Sequence, residues 1–368
     1  MVEGSNKNNF DVLRLVAATT VIVSHAYLLD GRTDPYLWLT GISPGWSAVV
    51  MFFAISGFLI AQSLQRRNLP EFLLARALRI FPGLAVCVAV TALALAPLSN
   101  LSLGEYFASI ETVKFVLGNA TLLSTQYLLP GVFSDHRITQ ANGSIWTLRY
   151  EIACYIMLAT ISIATTSRPA WRKVALALVL IAGVFVPAVL LLTHRSVSVQ
   201  VLNLTELFMP FLVGSWVFWS NKRVTAFHFV ASLLASMLLS RTPFYEPATT
   251  LTVAIFTLWI ALTPFQVLAF ARNRPDYSYG IYIYAYPIQQ IILESFPTLH
   301  PLAKASIAFL VVLVPAGLSW HFVEKPCLSF KKRWRSHSNS ATAKAGVSHE
   351  LQSGGIRITR VLNQGSDG

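Results

Sequence analysis

The sequence predicts an all-α membrane protein, a polytopic helix bundle with about ten transmembrane helices and both termini in the cytoplasm. The 368-residue chain is 54% hydrophobic and 12% charged, with a mean hydropathy of +0.57. Soluble domains carry about 25% charged residues, so this chain has too few to cover a water-facing surface. Its apolar residues also fall into long stretches, and its basic residues cluster between them.

Each apolar stretch is close to the roughly 20 residues that cross a bilayer as a helix. The ten stretches are residues 12–29, 45–64, 77–98, 144–166, 172–193, 203–220, 224–241, 246–263, 277–296 and 302–323. The first one follows a polar start without the pattern of a cleaved signal peptide, so we expect it to be retained as a span.

The Lys and Arg residues between the stretches alternate in density. Clusters follow the second, fourth, sixth, eighth and tenth stretches, whereas the other connections hold only one or two basic residues each. Cytoplasmic loops are enriched in Lys and Arg, so this alternation predicts that both termini are cytoplasmic. The net charge of +12 therefore indicates membrane topology, and no nucleic-acid partner is expected.

Two regions differ from the spans. Residues 99–143 form the longest outer connection, and its moderately apolar part, 106–123, is predicted to be interfacial or re-entrant. A tail at 336–368 is rich in small polar residues and is predicted to be disordered, which leaves a membrane domain at 8–326.

The three cysteines lack metal-ligand spacing, so we interpret them as packing residues and predict no metal site.

Two ionisable residues share one face of the first span. Arg14 and His25 are eleven residues apart, which is three helical turns and about 16 Å along the axis. Taken alone, Arg14 is typical of an arginine that extends to the lipid headgroups. Taken alone, His25 is typical of a hydrogen-bonded packing residue. Such groups are costly inside a membrane, and together they suggest a phosphate-binding arginine near the cytoplasm and a general base in the outer half.

Further charges lie in the third and fourth spans. Arg76 and Arg79, three residues apart at the cytoplasmic end of the third span, suit either membrane anchoring or a clamp for a polyanion such as a nucleotide or coenzyme A. Glu151 lies inside the fourth apolar stretch, and a buried carboxylate needs a partner. We expect Arg149 or the region around His25 to supply that partner.

Small and aromatic residues mark two other spans. In the second span, Ser56 and Gly57 permit close helix approach, and packing explains both without chemistry. In the ninth span, Tyr279, Tyr282 and Tyr286 share a face. This face suits either an aromatic belt or the lining of a pore.

In this order, these residues resemble the acyltransferase 3 family of integral-membrane acyltransferases, which includes O-antigen, exopolysaccharide and Nod-factor O-acetylases. The resemblance covers residues 8–326. It is carried by the Arg14–His25 spacing, Phe52-Phe53 before Ser56-Gly57-Phe58, Arg76 and Arg79 before Ile80-Phe81-Pro82, Trp146 through Glu151, Ser278 through Pro287, and Glu324-Lys325-Pro326. The chain departs from the family at Val50, where many members have an acidic residue, and at Ala285, where many have a histidine.

The resemblance implies an inner-membrane O-acyltransferase. It would move an acyl group, most often acetyl, from acyl-CoA to a hydroxyl of a surface or lipid-linked carbohydrate. The candidate site residues are His25, Glu151 and Asp34 for catalysis, and Arg14, Arg76, Arg79 and Tyr282 for binding acetyl-CoA or another acyl-CoA. A carbohydrate or glycolipid acceptor, the lipid bilayer and glycan-assembly proteins are the expected partners.

Two alternatives share the same frame of spans and buried charges. One is a transporter or flippase for a lipid-linked glycan, which would need no chemistry at His25. The other is a structural subunit of a glycan-assembly complex, in which Arg14 and Glu151 serve helix packing. The sequence shows no internal repeat, which disfavours a transporter built from inverted halves.

Overall fold

We describe the fold from a computed structural model. The residues described are 8–35, 37, 41–192, 198–265 and 275–330. The helices are α1 Phe10–Leu29, α2 Pro44–Arg66, α3 Leu69–Leu95, α4 Leu103–Ala108, α5 Ile110–Thr121, α6 Trp146–Ala164, α7 Pro169–Leu192, α8 Val199–Ser220, α9 Ala226–Leu238, α10 Tyr245–Leu262, α11 Ser278–Ser295 and α12 Pro301–Ser319. A 3-10 turn, Ala96–Leu98, follows α3, and a π-helical turn, Trp320–Glu324, follows α12.

This architecture confirms the predicted all-α membrane bundle. Each of the ten predicted stretches coincides with a helix, and within the described ranges no strand is formed. Among the residues that the structure describes, seven helices are long and apolar enough to cross a membrane, namely α1, α2, α3, α6, α8, α10 and α12. The count of ten crossings and the cytoplasmic position of both termini stay predictions. The predicted tail at 336–368 lies outside the described residues.

Glycines bring α2 and α8 into direct backbone contact. A Cβ atom on Gly57 would stand 1.9 Å from the carbonyl oxygen of Phe211, and one on Gly214 would stand 2.1 Å from that of Ala54. The Ser215 hydroxyl donates to the Gly57 carbonyl at 3.0 Å. Small residues allow this close approach of membrane helices, so the predicted packing role of Gly57 is confirmed.

The outer segment contains two short helices that pack on the end of α3. Tyr106 in α4 is fully buried, and its hydroxyl donates to the Ala92 carbonyl at 2.8 Å. On α5, Ile110, Val113 and Leu117 form an exposed apolar face, which suits a helix lying at a membrane interface.

The rest of the outer segment folds back over α11. Gln290 of α11 donates to the carbonyl oxygens of Ile138 and Gln140 at 2.7 and 2.8 Å. Gly143 lies so close to Tyr286 that a Cβ atom there would be 2.6 Å from the tyrosine ring. The segment before α6 therefore packs against α11 around Tyr286 and Gln290.

Candidate active site

Four charged side chains form an ion network where α1 begins. Arg14 of α1 and Arg79 of α3 both donate to Oδ2 of Asp276, at 3.1 and 2.7 Å. Arg79 also donates to Oε2 of Glu324 at 2.8 Å. Glu324 is 1% exposed, so the pairing offsets the cost of burying its charge. The network, defined by Arg14, Arg79, Asp276 and Glu324, ties α1, α3, α11 and the π-helical turn together.

The carboxylate of Asp276 is the centre of this network. Burial alone would raise its pKa, but Arg79, Arg14 and two hydrogen bonds from Ser278 hold the pKa of Asp276 below its ordinary value. Asp276 is therefore ionised at neutral pH and keeps both arginines in place. Sequence analysis did not select it, although an acidic residue just before a helix is a common capping pattern.

Arg76 faces a cavity and has no such partner. Among the described residues it forms no ion pair, and its Nε is buried without a hydrogen bond. The cavity has a volume of about 100 Å³, and its lining includes Arg14, Arg76, Arg79, Glu151, Tyr279 and Tyr282. The structure therefore collects all four predicted donor-binding residues, and Glu151 with them, around one cavity.

The partners of Glu151 differ from those expected. Its Oε1 accepts hydrogen bonds from Ser56 at 3.2 Å and from Tyr155. Arg149 instead donates to the hydroxyl of Tyr150 at 2.8 Å, because it projects from α6 in a different direction. The interpretation of Ser56 as a pure packing residue was wrong, since its hydroxyl binds Glu151 and lines the cavity.

One face of α11 connects the cavity with His25. The Tyr282 hydroxyl lies 2.8 Å from that of Thr147, and both residues line the cavity. One turn further, about 6 Å along the axis, the ring of Tyr286 meets the ring of His25 edge-on, with 5.1 Å between centroids. The predicted tyrosine face thus leads from the arginines toward the predicted base.

His25 and Asp34 lie outside the cavity lining. His25 is partly buried, and its Nδ1 is a buried atom without a hydrogen bond. Asp34 is in the loop after α1. Of the three predicted catalytic residues, Glu151 alone lines the cavity.

Comparison with known proteins identifies the family. The sequence model of the acyltransferase 3 family, described as an acyltransferase domain, matches residues 7–321. This chain belongs to the acyltransferase 3 family. The O-acetyl transferase of Shigella phage Sf6 is 33% identical over 342 residues, which cover 88% of this chain and 96% of the phage protein. Nodulation protein 10 of Rhizobium leguminosarum bv. viciae is 27% identical over 376 residues, covering 89% and 94%. No solved structure matches the chain.

This acyltransferase 3 member is an O-acyltransferase, as the resemblance implied. The acyltransferase domain covers nearly the whole chain, and the phage relative is itself an O-acetyl transferase. The comparisons therefore favour the enzyme over the transporter and the structural subunit. At the family position where many members have a histidine, the chain has a buried Ala285, which leaves His25 as the histidine on this part of the α1–α11 interface.

Proposed function

We propose that this O-acyltransferase moves an acetyl group from acetyl-CoA to a hydroxyl of a surface or lipid-linked carbohydrate, in the inner (plasma) membrane. One observation carries the proposal. Three arginines line one cavity, and the α11 wall of that cavity leads to a histidine. The arginines suit the phosphate groups of a donor, and the histidine suits a general base.

The arginines are proposed to bind the phosphates of the donor. Arg76 supports this most directly, because a guanidinium without an ion pair is available to an anion. Arg14 and Arg79 are held by Asp276 and form a rigid wall beside it. The positive-inside pattern assigns this end of the bundle to the cytoplasm, where coenzyme A esters are found.

The donor thioester is proposed to reach His25 along α1 and α11. Arg14 and His25 are about 16 Å apart along α1, which the extended pantetheine arm can span. Tyr282 lines the cavity on this path, one turn before the tyrosine that touches His25. Glu151 also lines the cavity, so we propose that it contacts the donor and not the acceptor.

The chemistry is a direct acyl transfer. As the acceptor oxygen attacks the thioester carbon, His25 takes the hydroxyl proton. The carbon–sulfur bond then breaks, and the leaving thiolate receives that proton from the imidazolium as coenzyme A. Asp34, in the loop after α1, is proposed to bind the acceptor on the outer side.

The relatives support part of the substrate assignment. The name of the phage relative gives acetyl as its acyl group and oxygen as the atom acylated. We transfer both to this chain as a proposal. The carbohydrate acceptor is proposed from the resemblance to O-antigen, exopolysaccharide and Nod-factor O-acetylases.

Mass spectrometry of surface glycans tests the proposal. A deletion strain should lose an acetyl mass from its glycan, and the wild-type gene should restore it while His25→Ala should not. His228→Ala is the matched control, because His228 is exposed at the start of α9. Near-normal acetylation by the His25→Ala protein would overturn the proposal, and a shortened glycan in the deletion strain would select the transporter instead.

A further inference from the structure

Gln289 on α11 carries an unsatisfied polar atom in the interior. The residue is 3% exposed, and its Nε2 donates to the carbonyl oxygen of Ile22 on α1 at 2.6 Å. Its Oε1 is buried and, within the described part of the chain, has no hydrogen-bond partner. Buried amide oxygens are nearly always satisfied in folded proteins, so this atom points to a partner acquired during function.

The second unsatisfied atom at this interface is Nδ1 of His25. Side chains on a helix lean toward its N-terminus, so the His25 ring lies beside the turn that contains Ile22. On α11, Tyr286 is one turn before Gln289 on the same face, and its ring already contacts the ring of His25. Oε1 of Gln289 and Nδ1 of His25 therefore lie at the same level of the α1–α11 interface.

The two atoms are chemically complementary. With Nδ1 buried and His25 partly exposed, Nε2 is the nitrogen that meets substrate, so a base acting through Nε2 carries its proton on Nδ1. The hydroxyl of Tyr286, whose ring touches His25, is already engaged, since it donates to Oε1 of Gln140 at 3.3 Å.

We propose that Gln289 is a positioning residue for His25, its Oε1 accepting a hydrogen bond from Nδ1–H in the reacting enzyme, directly or through one water. This inference rests on the proposed role of His25 as the base. The bond fixes the tautomer that leaves the Nε2 lone pair free, and it stabilises the imidazolium that forms when the acceptor hydroxyl loses its proton.

The adjacent residue, Gln290, provides a matched control. Its Nε2 donates to two carbonyl oxygens of the outer segment, and its Oε1 lies 2.9 Å from Nδ1 of His136. Gln290 is thus fully bonded and holds the outer segment, whereas half of the Gln289 amide is unpaired. Loss of Gln290 should lower stability, and loss of Gln289 should lower turnover.

The test compares Gln289→Met, Gln289→Glu and Gln290→Met in membrane vesicles. The substrates are radiolabelled acetyl-CoA and unacetylated glycan from the deletion strain. We expect Gln289→Met to lower kcat about ten-fold or more, with the KM for acetyl-CoA unchanged and the Tm lowered only as far as loss of the hydrogen bond to the Ile22 carbonyl requires. Gln289→Glu keeps an acceptor oxygen and should retain most of the kcat, while Gln290→Met should lower the Tm.

The outcomes separate this inference from the proposed function. If the wild-type protein is active and the Gln289→Met protein has the same kcat, the role of Gln289 is overturned and the proposed function is not. If the Gln289→Met protein fails to accumulate, or if Gln289→Glu has an equally low kcat, Gln289 serves folding. Either result also overturns the inference. Wild-type protein that transfers no acetyl group overturns the proposed function together with the inference.

Discussion

At the scale of single residues, three arginines with similar sequence settings have different partners. Arg14 and Arg79 share the carboxylate of Asp276, and Arg79 also pairs with Glu324. Arg76 lines the same cavity without an ion pair among the described residues. Replacing Arg76 and replacing a network residue should therefore have different consequences.

Arg76→Ala should weaken donor binding and leave the fold intact. A hydrogen bond to a charged group contributes about 1.5–3 kcal/mol, so the KM for acetyl-CoA should rise about ten-fold or more. Arg66, which is exposed at the end of α2, supplies the control variant Arg66→Ala. Equal KM values for the two variants in a radiolabelled transfer assay would contradict a phosphate-binding role for Arg76.

Asp276→Ala should destabilise the protein, because it leaves Arg14 and Arg79 without their shared carboxylate. Removing one partner of a buried ion pair costs about 3–5 kcal/mol, which should appear as a lower Tm of the detergent-solubilised protein. Asp135, exposed in the outer segment, offers the control Asp135→Ala. A Tm that falls equally in both variants would argue against the network as a source of stability.

At the scale of helices, backbone contact decides which elements are neighbours. Gly57 and Gly214 let α2 and α8 meet with no side chain between them. That contact places α2 so that Ser56, on its next face, reaches Glu151 of α6. Gly57 therefore makes the close helix contact, and the adjacent Ser56 is left to line the cavity.

Gly57→Ala should disrupt the α2–α8 contact. The new Cβ atom would stand 1.9 Å from a backbone oxygen of α8, so the two helices must separate, and the amount of folded protein should fall. Gly317→Ala on α12 is the matched control, since nothing lies within 4 Å of its Cβ position. That change should be neutral or stabilising, because alanine favours helix by about 1 kcal/mol over glycine. Normal accumulation of Gly57→Ala would disprove the tight contact.

At the scale of the whole molecule, the Lys and Arg residues of the loops predict how the protein is oriented in the membrane. With the predicted even number of crossings and basic clusters inside, we expect both termini in the cytoplasm and the outer segment on the opposite side of the membrane. In this predicted orientation, the arginine-lined cavity would face the compartment of the proposed donor, and His25 would lie toward that of the proposed acceptor. The proposed transfer across the membrane depends on this orientation.

Reporter fusions should confirm the predicted orientation. Alkaline phosphatase, which is active only outside the cytoplasm, should be inactive when fused after residue 368 and active when inserted after Asp135 in the outer segment. A fluorescent protein that folds only in the cytoplasm should give the opposite pattern. An active phosphatase at residue 368 would contradict the predicted orientation. Together with an inactive phosphatase at Asp135 it would reverse the proposed path of the donor, and together with an active one there it would indicate an odd number of spans.

The sequence by itself determined the membrane class, the positions of the helices and the shared face of Arg14 and His25. These are local properties, because hydropathy over about 20 residues and the helical repeat depend only on neighbours along the chain. The resemblance to the family was also visible, because its motifs are short and lie in a constant order.

Only the tertiary structure decided which polar groups are partners. Asp276 binding two arginines, Glu151 binding Ser56, and Gln289 reaching Ile22 all join residues from different elements of the fold. Their pairing depends on which helices touch and at what level, and close contacts such as that of Gly57 with Phe211 set both. Helical periodicity fixes the face on which a side chain lies, but the packing of the helices fixes what that face meets.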